Sequence, residues 1–249
     1  EPVLFSMSGE MNGALQAQLA WAELAAEVKV IVLTGAGRAF CAGLDLGSQA
    51  GKTESLGVLD DTGANMAEFD LREAPPIVLH GIDTPVICAL NGGAAGYGLD
   101  IALGCDIRIA ADTAKMAPGF AKRGILPESG GTWLLPRMVG YARAAEIAFT
   151  GRTLMADECL AMGLVNKVVP YEELEIETVQ WCREILEKSP LAIRCLKAAL
   201  NADCDGQAGL QELAGNATLL YYMTEEGQEG RNAFVEKRKP DFSQFPKRP

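Results

Sequence analysis

Two short glycine-bearing turns are the parts of this sequence best suited to chemistry: Cys41-Ala42-Gly43 and Gly96-Tyr97-Gly98. Glycine lets backbone N–H groups come close to a ligand, and the second turn opens an apolar helical stretch, where N–H groups concentrate positive potential. If both turns face one point, the N–H groups of Ala42 and Tyr97 form a donor pair for a carbonyl oxygen that gains negative charge, an oxyanion hole. Each such donor is worth about 10²–10³ in rate. The same spacing also suits two plain tight turns of an α/β sheet. Two carboxylates complete the set. Asp100 follows the second turn, and Glu128 lies in Leu126-Pro127-Glu128-Ser129-Gly130-Gly131, ahead of a predicted helix. A positioned carboxylate can take a proton from the carbon beside a carbonyl and return it elsewhere on the same enolate. Without that task Glu128 is a helix-start acid, worth about 0.3–1 kcal/mol.

The elements that must hold these residues alternate. Val28–Thr34 is a β-branched run ended by Gly35-Ala36-Gly37; Pro85–Leu90 is another, ended by Asn91-Gly92-Gly93. A helix over Leu99–Leu103 and a third strand over Cys105–Ala110 give the rhythm of βαβ units. Residues 47–70, rich in Gly, Ser, Asp and Thr, read as a loop beside a site. Beyond residue 130 the pattern predicts helices over 141–149, 156–162, 171–188, 190–201 and 209–224, with a short strand at 165–169 and a basic end at 236–240. This divides the chain into an α/β core, 1–188, carrying the site, and a helical region, 189–249, that packs on the core or on a neighbouring subunit.

Composition removes several function classes. Thirty-three acidic residues against 22 basic ones give a net charge of −11, contrary to nucleic-acid binding through phosphates. No apolar run approaches the ~20 residues of a membrane span. Seven cysteines without a C-x-x-C pair, and a single histidine, His80, argue against a disulfide framework and against a metal site. The glycine patterns of dinucleotide and nucleoside triphosphate sites are not met. His80 reads as a capped or surface histidine, Trp21, Trp133 and Trp181 as packing residues, and the cytoplasm is the expected compartment.

The ordered series Arg38-Ala39-Phe40-Cys41-Ala42-Gly43-Leu44-Asp45-Leu46, Asn91-Gly92-Gly93-Ala94-Ala95-Gly96-Tyr97-Gly98-Leu99-Asp100, Cys105-Asp106, Gly130-Gly131-Thr132 and Ala161-Met162-Gly163-Leu164-Val165 resembles the crotonase (enoyl-CoA hydratase/isomerase) superfamily over about residues 28–249. The resemblance implies an α/β spiral of ββα repeats with a C-terminal helical trimerisation region, assembled as a homotrimer or dimer of trimers. The implied ligand is an acyl-CoA thioester, with coenzyme A entering as part of the substrate and no separate cofactor. Ala42 and Tyr97 then match the oxyanion positions, and Arg38 and Lys237 are the expected CoA contacts.

Within that superfamily the carboxylates decide the reaction. Of the two glutamates of its hydratases, one falls on Asp100 and the other on Phe120, which exchanges no proton, while Glu128 is similar to the acid of enoyl-CoA isomerases. Double-bond isomerisation by Glu128 is therefore the expected activity; hydration would use Asp100 with Glu128. Residues 190–249, with Tyr222-Met223-Thr224, resemble 1,4-dihydroxy-2-naphthoyl-CoA synthase, which implies ring closure or cleavage using Tyr222 as a further alternative. A catalytically silent acyl-CoA-binding scaffold is the alternative outside enzymes.

Overall fold

Each repeat of the chain gives one strand to each of two sheets. The computed structural model, which describes residues 6–43, 74–123, 127, 129–201 and 224–246, places β1 (Ile31–Thr34), β3 (Val86–Leu90), β5 (Ile107–Ala111) and β8 (Lys167–Val169) side by side in the order β1-β3-β5-β8, all parallel. The second sheet has the order β2-β4-β6-β7, from β2 (Ala39–Cys41), β4 (Gly93–Ala95), β6 (Lys115–Ala117) and an antiparallel β7 (Leu154–Met155). β3 is Val-Ile-Cys-Ala-Leu with every residue buried, as a central parallel strand covered on both faces must be. β1 forms the edge, and Val32 is exposed there.

The helices are α1 (Gly9–Leu24), α2 (Pro75–Gly81), α3 (Tyr97–Gly104), α4 (Gly131–Val139), α5 (Tyr141–Thr150), α6 (Ala156–Met162), α7 (Leu174–Leu186), α8 (Pro190–Asn201) and α9 (Glu225–Glu236). α1 starts at Ser8, whose Oγ accepts the Met11 N–H at 3.1 Å. α3 is buried along its whole length, with α2 and α4 against it. The main core runs between the sheets and these helices, through Leu79, Val86, Leu90, Leu103, Met116 and Ile147. Among the described residues no helix is long and apolar enough to cross a membrane.

Where the sequence carries a clear period the elements lie where expected: α5, α6, α8, β3 and β5 match to within two residues. The strand expected over 28–34 is paired only from Ile31, and the helix expected over 171–188 begins with a 3-10 turn at Tyr171–Glu173 before α7. α1 and α2 are additions. α1 leaves Met11, Trp21 and Leu24 exposed and buries chiefly Leu19 and Ala22, so its apolar residues trace no clean face. Trp21, 57% exposed, is thus not the packing residue expected. α2 is a seven-residue helix entered through Pro75-Pro76, too short for periodicity. The strands of the second sheet span two or three residues, too few for alternation to register. The helix expected over 209–224 and the loop at 47–70 lie outside the described residues, while the basic end follows a helix, α9, that the sequence reading lacked.

The described part of the C-terminal region packs on the core of its own chain. Lys197, 6% exposed on α8, donates to Asp106 Oδ2 at 2.8 Å, Thr84 O at 2.9 Å and Leu79 O at 3.1 Å. Asp106 Oδ2 also accepts the Val86 N–H at 2.7 Å, so one carboxylate ties α8 to the start of β3. Arg194 Nε donates to Asp83 at 2.8 Å, and Ser189 Oγ to Glu226 at 2.6 Å, linking α8 to α9. Lys197→Met removes this cation from Asp106 and one donor from each of two carbonyls. It should lower stability by about 2–3 kcal/mol, less than the loss of a fully enclosed pair because Asp106 is partly exposed. Urea unfolding measures this, and a loss below about 0.5 kcal/mol would refute the anchoring role.

Candidate active site

The loop between β1 and β2 is fixed by one side chain. Asn91, buried at the end of β3, accepts the Gly35 N–H through Oδ1 at 3.0 Å, and its Nδ2 donates to Gly37 O at 2.8 Å and Ala39 O at 3.2 Å. The crossing behind it leaves no room for a side chain: a Cβ at Gly92 would lie 2.2 Å from Arg38 O. β2 therefore leaves the sheet in a set direction, toward the turn at residues 41–43. The sequence reading took Asn91 only as the end of a strand; its place beside two glycines was the available signal.

That turn meets the start of α3. Gly43 has φ +101°, and Met7 donates its N–H to Gly43 O at 2.7 Å. Gly96 has φ +52° and ψ −122°, a conformation open to glycine, and leads directly into Tyr97 at the first position of the helix. The two segments touch. A Cβ on Gly98 would sit 2.3 Å from Cys41 O, and one on Gly43 would sit 2.9 Å from Ala95 O and 3.7 Å from Tyr97 N. Tyr97 Oη donates to Asn12 Oδ1 at 3.2 Å, which fastens the helix start to α1. The turns holding Ala42 and Tyr97 thus lie in contact. Cys41 lies in the contact, but burial pushes its thiol up from the ordinary value, which suits a small packing group and not a thiolate nucleophile.

One helical turn beyond Tyr97, Asp100 opens on a cavity of about 280 Å³. Its carboxylate is buried, in the first turn of α3, and abuts the first residue of α4: a Cβ on Gly131 would fall 2.2 Å from Asp100 Oδ1. Two helix starts therefore direct positive potential at this carboxylate. Phe120 walls the same cavity, and so do Pro127, next to position 128 in sequence, and Gly131, three residues beyond it. On the outer side stand Tyr141 and Phe149 of α5, which the sequence reading took only as the ends of a helix.

Glu128, Tyr222 and Asp45 lie outside the described residues. Arg38 is exposed in the loop before β2. Lys237 is exposed as well, with φ +56° where α9 ends. Tyr171, ahead of α7, approaches Gly37 O at 3.5 Å, whereas Lys239 pairs with Glu187 just past the other end of α7 and Lys29 Nζ donates to Ser243 O. The 13 residues of α7, about 20 Å of helix, lie between the Tyr171 and Glu187 contacts. His80 is half-buried: its ring packs edge-on to Trp133 at 5.1 Å between centroids, and the Arg137 guanidinium lies 3.6 Å over the Trp133 ring.

Residues 2–246 match the family model described as enoyl-CoA hydratase/isomerase. Among solved structures, the chain is similar to an enoyl-CoA hydratase from Bacillus anthracis, with 34% identity and a TM-score of 0.85 over 96% of this chain and 90% of that one. It is also similar to DspI of Pseudomonas aeruginosa, with 29% identity and a TM-score of 0.85 over 97% and 90% of the two chains. The α/β arrangement of ββα repeats is shared with these neighbours.

Proposed function

The chain belongs to the enoyl-CoA hydratase/isomerase family, and on that premise we propose that it isomerises the double bond of an enoyl-CoA thioester. In this reading the thioester oxygen faces the N–H groups at the 41–43 turn, with Ala42 as the donor, and at Tyr97. A carboxylate removes a proton from C2 of a 3-enoyl ester; the electron pair moves into a dienolate whose charge rests on the thioester oxygen. The same carboxylate, now a carboxylic acid, returns the proton to C4 and leaves the 2-enoyl ester. Glu128 is assigned as the proton carrier and Asp100 as the second carboxylate of the site. Arg38 is assigned to the phosphate end of CoA, and Lys237 to the CoA of a neighbouring subunit in a trimer or dimer of trimers.

The observation that supports this reading is the composition of one cavity: Asp100, Pro127 next to Glu128, and Gly131 line it, and Phe120 occupies its wall. Hydration needs a water held between two acids, and an aromatic ring on that wall disfavours it. The test is a set of saturated, 2-enoyl and 3-enoyl CoA esters in deuterated buffer, with products read by mass spectrometry. Migration of the double bond with deuterium entering at C2 or C4 is expected. Water addition in place of migration would replace isomerase by hydratase, and binding of CoA esters without any exchange would reduce the protein to an acyl-CoA-binding scaffold.

A further inference from the structure

The cavity beside Asp100 runs along one helix. Tyr141, Ala144, Ala145, Ala148 and Phe149 all line it, and the spacing i, i+3, i+4, i+7, i+8 puts them on a single face of α5. The two aromatic residues stand about 12 Å apart along the helix axis. Between them the three alanines are cut back to one methyl group each, so this face is a trough. Leucines form another wall: Leu99 and Leu103, one turn apart on α3, and Leu135 on α4, all buried. Prolines, Phe120, Ala121 and Gly131 supply the rest of the apolar lining.

Polar side chains are gathered at one place. Among the described residues of the lining they are Asp100, Thr132 and the hydroxyl of Tyr141, and the first two stand in the opening turns of α3 and α4. Along α5 the surface from Ala144 to Phe149 is apolar throughout. The cavity does not close there: Tyr141 is 80% and Phe149 78% exposed, and Ala145 and Ala148 between them are half-buried.

Resting on the acyl-CoA reading above, we infer that the trough on α5 carries the tail of the substrate, and that the preferred substrate is a CoA ester of a long aliphatic chain. An extended chain advances about 3.6 Å for every three bonds, so about ten bonds cover the trough. With the reacting carbons beside Asp100, the next ones lie against the leucines and the later ones on the alanines of α5. Each methylene placed there exchanges water for apolar surface, and the open outer side puts no wall in front of an added carbon. A short acyl group forgoes that gain. Ala145 and Ala148 act here as specificity residues, because a longer side chain at either position fills the trough.

The test uses unreactive saturated esters, so that binding is read apart from turnover. Calorimetry follows butanoyl-, hexanoyl-, octanoyl- and decanoyl-CoA, with free CoA as the baseline. Kd should fall about two- to threefold for each added methylene through decanoyl-CoA, about 10²-fold across the series. Ala145→Leu and Ala148→Leu keep a strong helix former in place, and each should shrink the ratio of butanoyl-CoA to decanoyl-CoA Kd by about tenfold. Ala142→Leu, exposed on α5 and outside the lining, is the control and should keep the wild-type ratio. A Kd that levels off or rises before octanoyl-CoA overturns the inference. So does a full series that both leucine variants leave intact, or a loss that Ala142→Leu shares equally. In each of these cases the acyl-CoA reading stands. If no ester binds better than free CoA, the cavity is not an acyl site, and both fall together.

Discussion

With alanine at position 98, turnover of an enoyl-CoA substrate is expected to fall by about 10²–10³-fold while the protein still folds. The added methyl would sit 2.3 Å from Cys41 O and 2.9 Å from Cys41 C, both backbone atoms, so the neighbour cannot give way by turning a side chain. The turn at residues 41–43 and the start of α3 must separate. Donors aimed at a developing oxyanion lose most of their effect once they are displaced, because the stabilisation depends on their being fixed before the charge appears. The loss should therefore appear in kcat more than in KM, since the ground-state thioester uses these N–H groups less than the enolate does. Overpacking at such a contact costs about 1–3 kcal/mol of stability, which a thermal melt will register without loss of the folded state at 25 °C. Gly13→Ala is the matched control: a Cβ there meets nothing within 4 Å, and alanine suits the interior of α1. If Gly98→Ala keeps wild-type turnover, the two turns are sheet furniture and the oxyanion assignment fails.

The two glycine turns were legible in single residues, whereas much of the second sheet was not. Cys41-Ala42-Gly43 and Gly96-Tyr97-Gly98 could be matched because glycine at these positions answers a local demand, a positive φ or a close backbone approach, and local demands are written in single residues. β3 and α8 were legible because a run of β-branched residues or an apolar stripe spans the whole element. β2, β4, β6 and β7 were not, since strands of two or three residues such as Gly-Ala-Ala are held by register against neighbours that come from distant parts of the chain. For the same reason the fixing role of Asn91 and the docking of Lys197 against Asp106 could not be read in advance: each depends on which strand ends and helix faces meet. Lys237 illustrates the converse. Its identity was matched to a CoA contact by resemblance alone, while its positive φ at the end of α9 is a property of the backbone that no residue pattern announced.

Glu128→Gln should reduce both double-bond migration and deuterium entry at C2 by about 10²–10⁴-fold, with affinity for saturated acyl-CoA esters nearly unchanged. Glutamine keeps the shape and the hydrogen-bonding reach of glutamate and removes only the capacity to accept and return a proton at neutral pH. A parallel loss of exchange and migration would mean that one group performs both transfers, since a relay using separate acids would allow exchange to outlast migration. Asp100→Asn separates the two carboxylates. Its side chain abuts the first residue of α4, so as an orienting neighbour it should cost less than Glu128→Gln, and the pH dependence of kcat/KM should then rise through a single ionisation to a plateau. A larger loss for Asp100→Asn than for Glu128→Gln would exchange their roles, leaving Glu128 as an acid stabilised at a helix start. Comparable losses, joined to a bell-shaped profile, would mean that both carboxylates act, one as base and the other as acid. The isomerase reading would then give way to hydration, because two working acids can hold and activate a water that a lone proton carrier does not need.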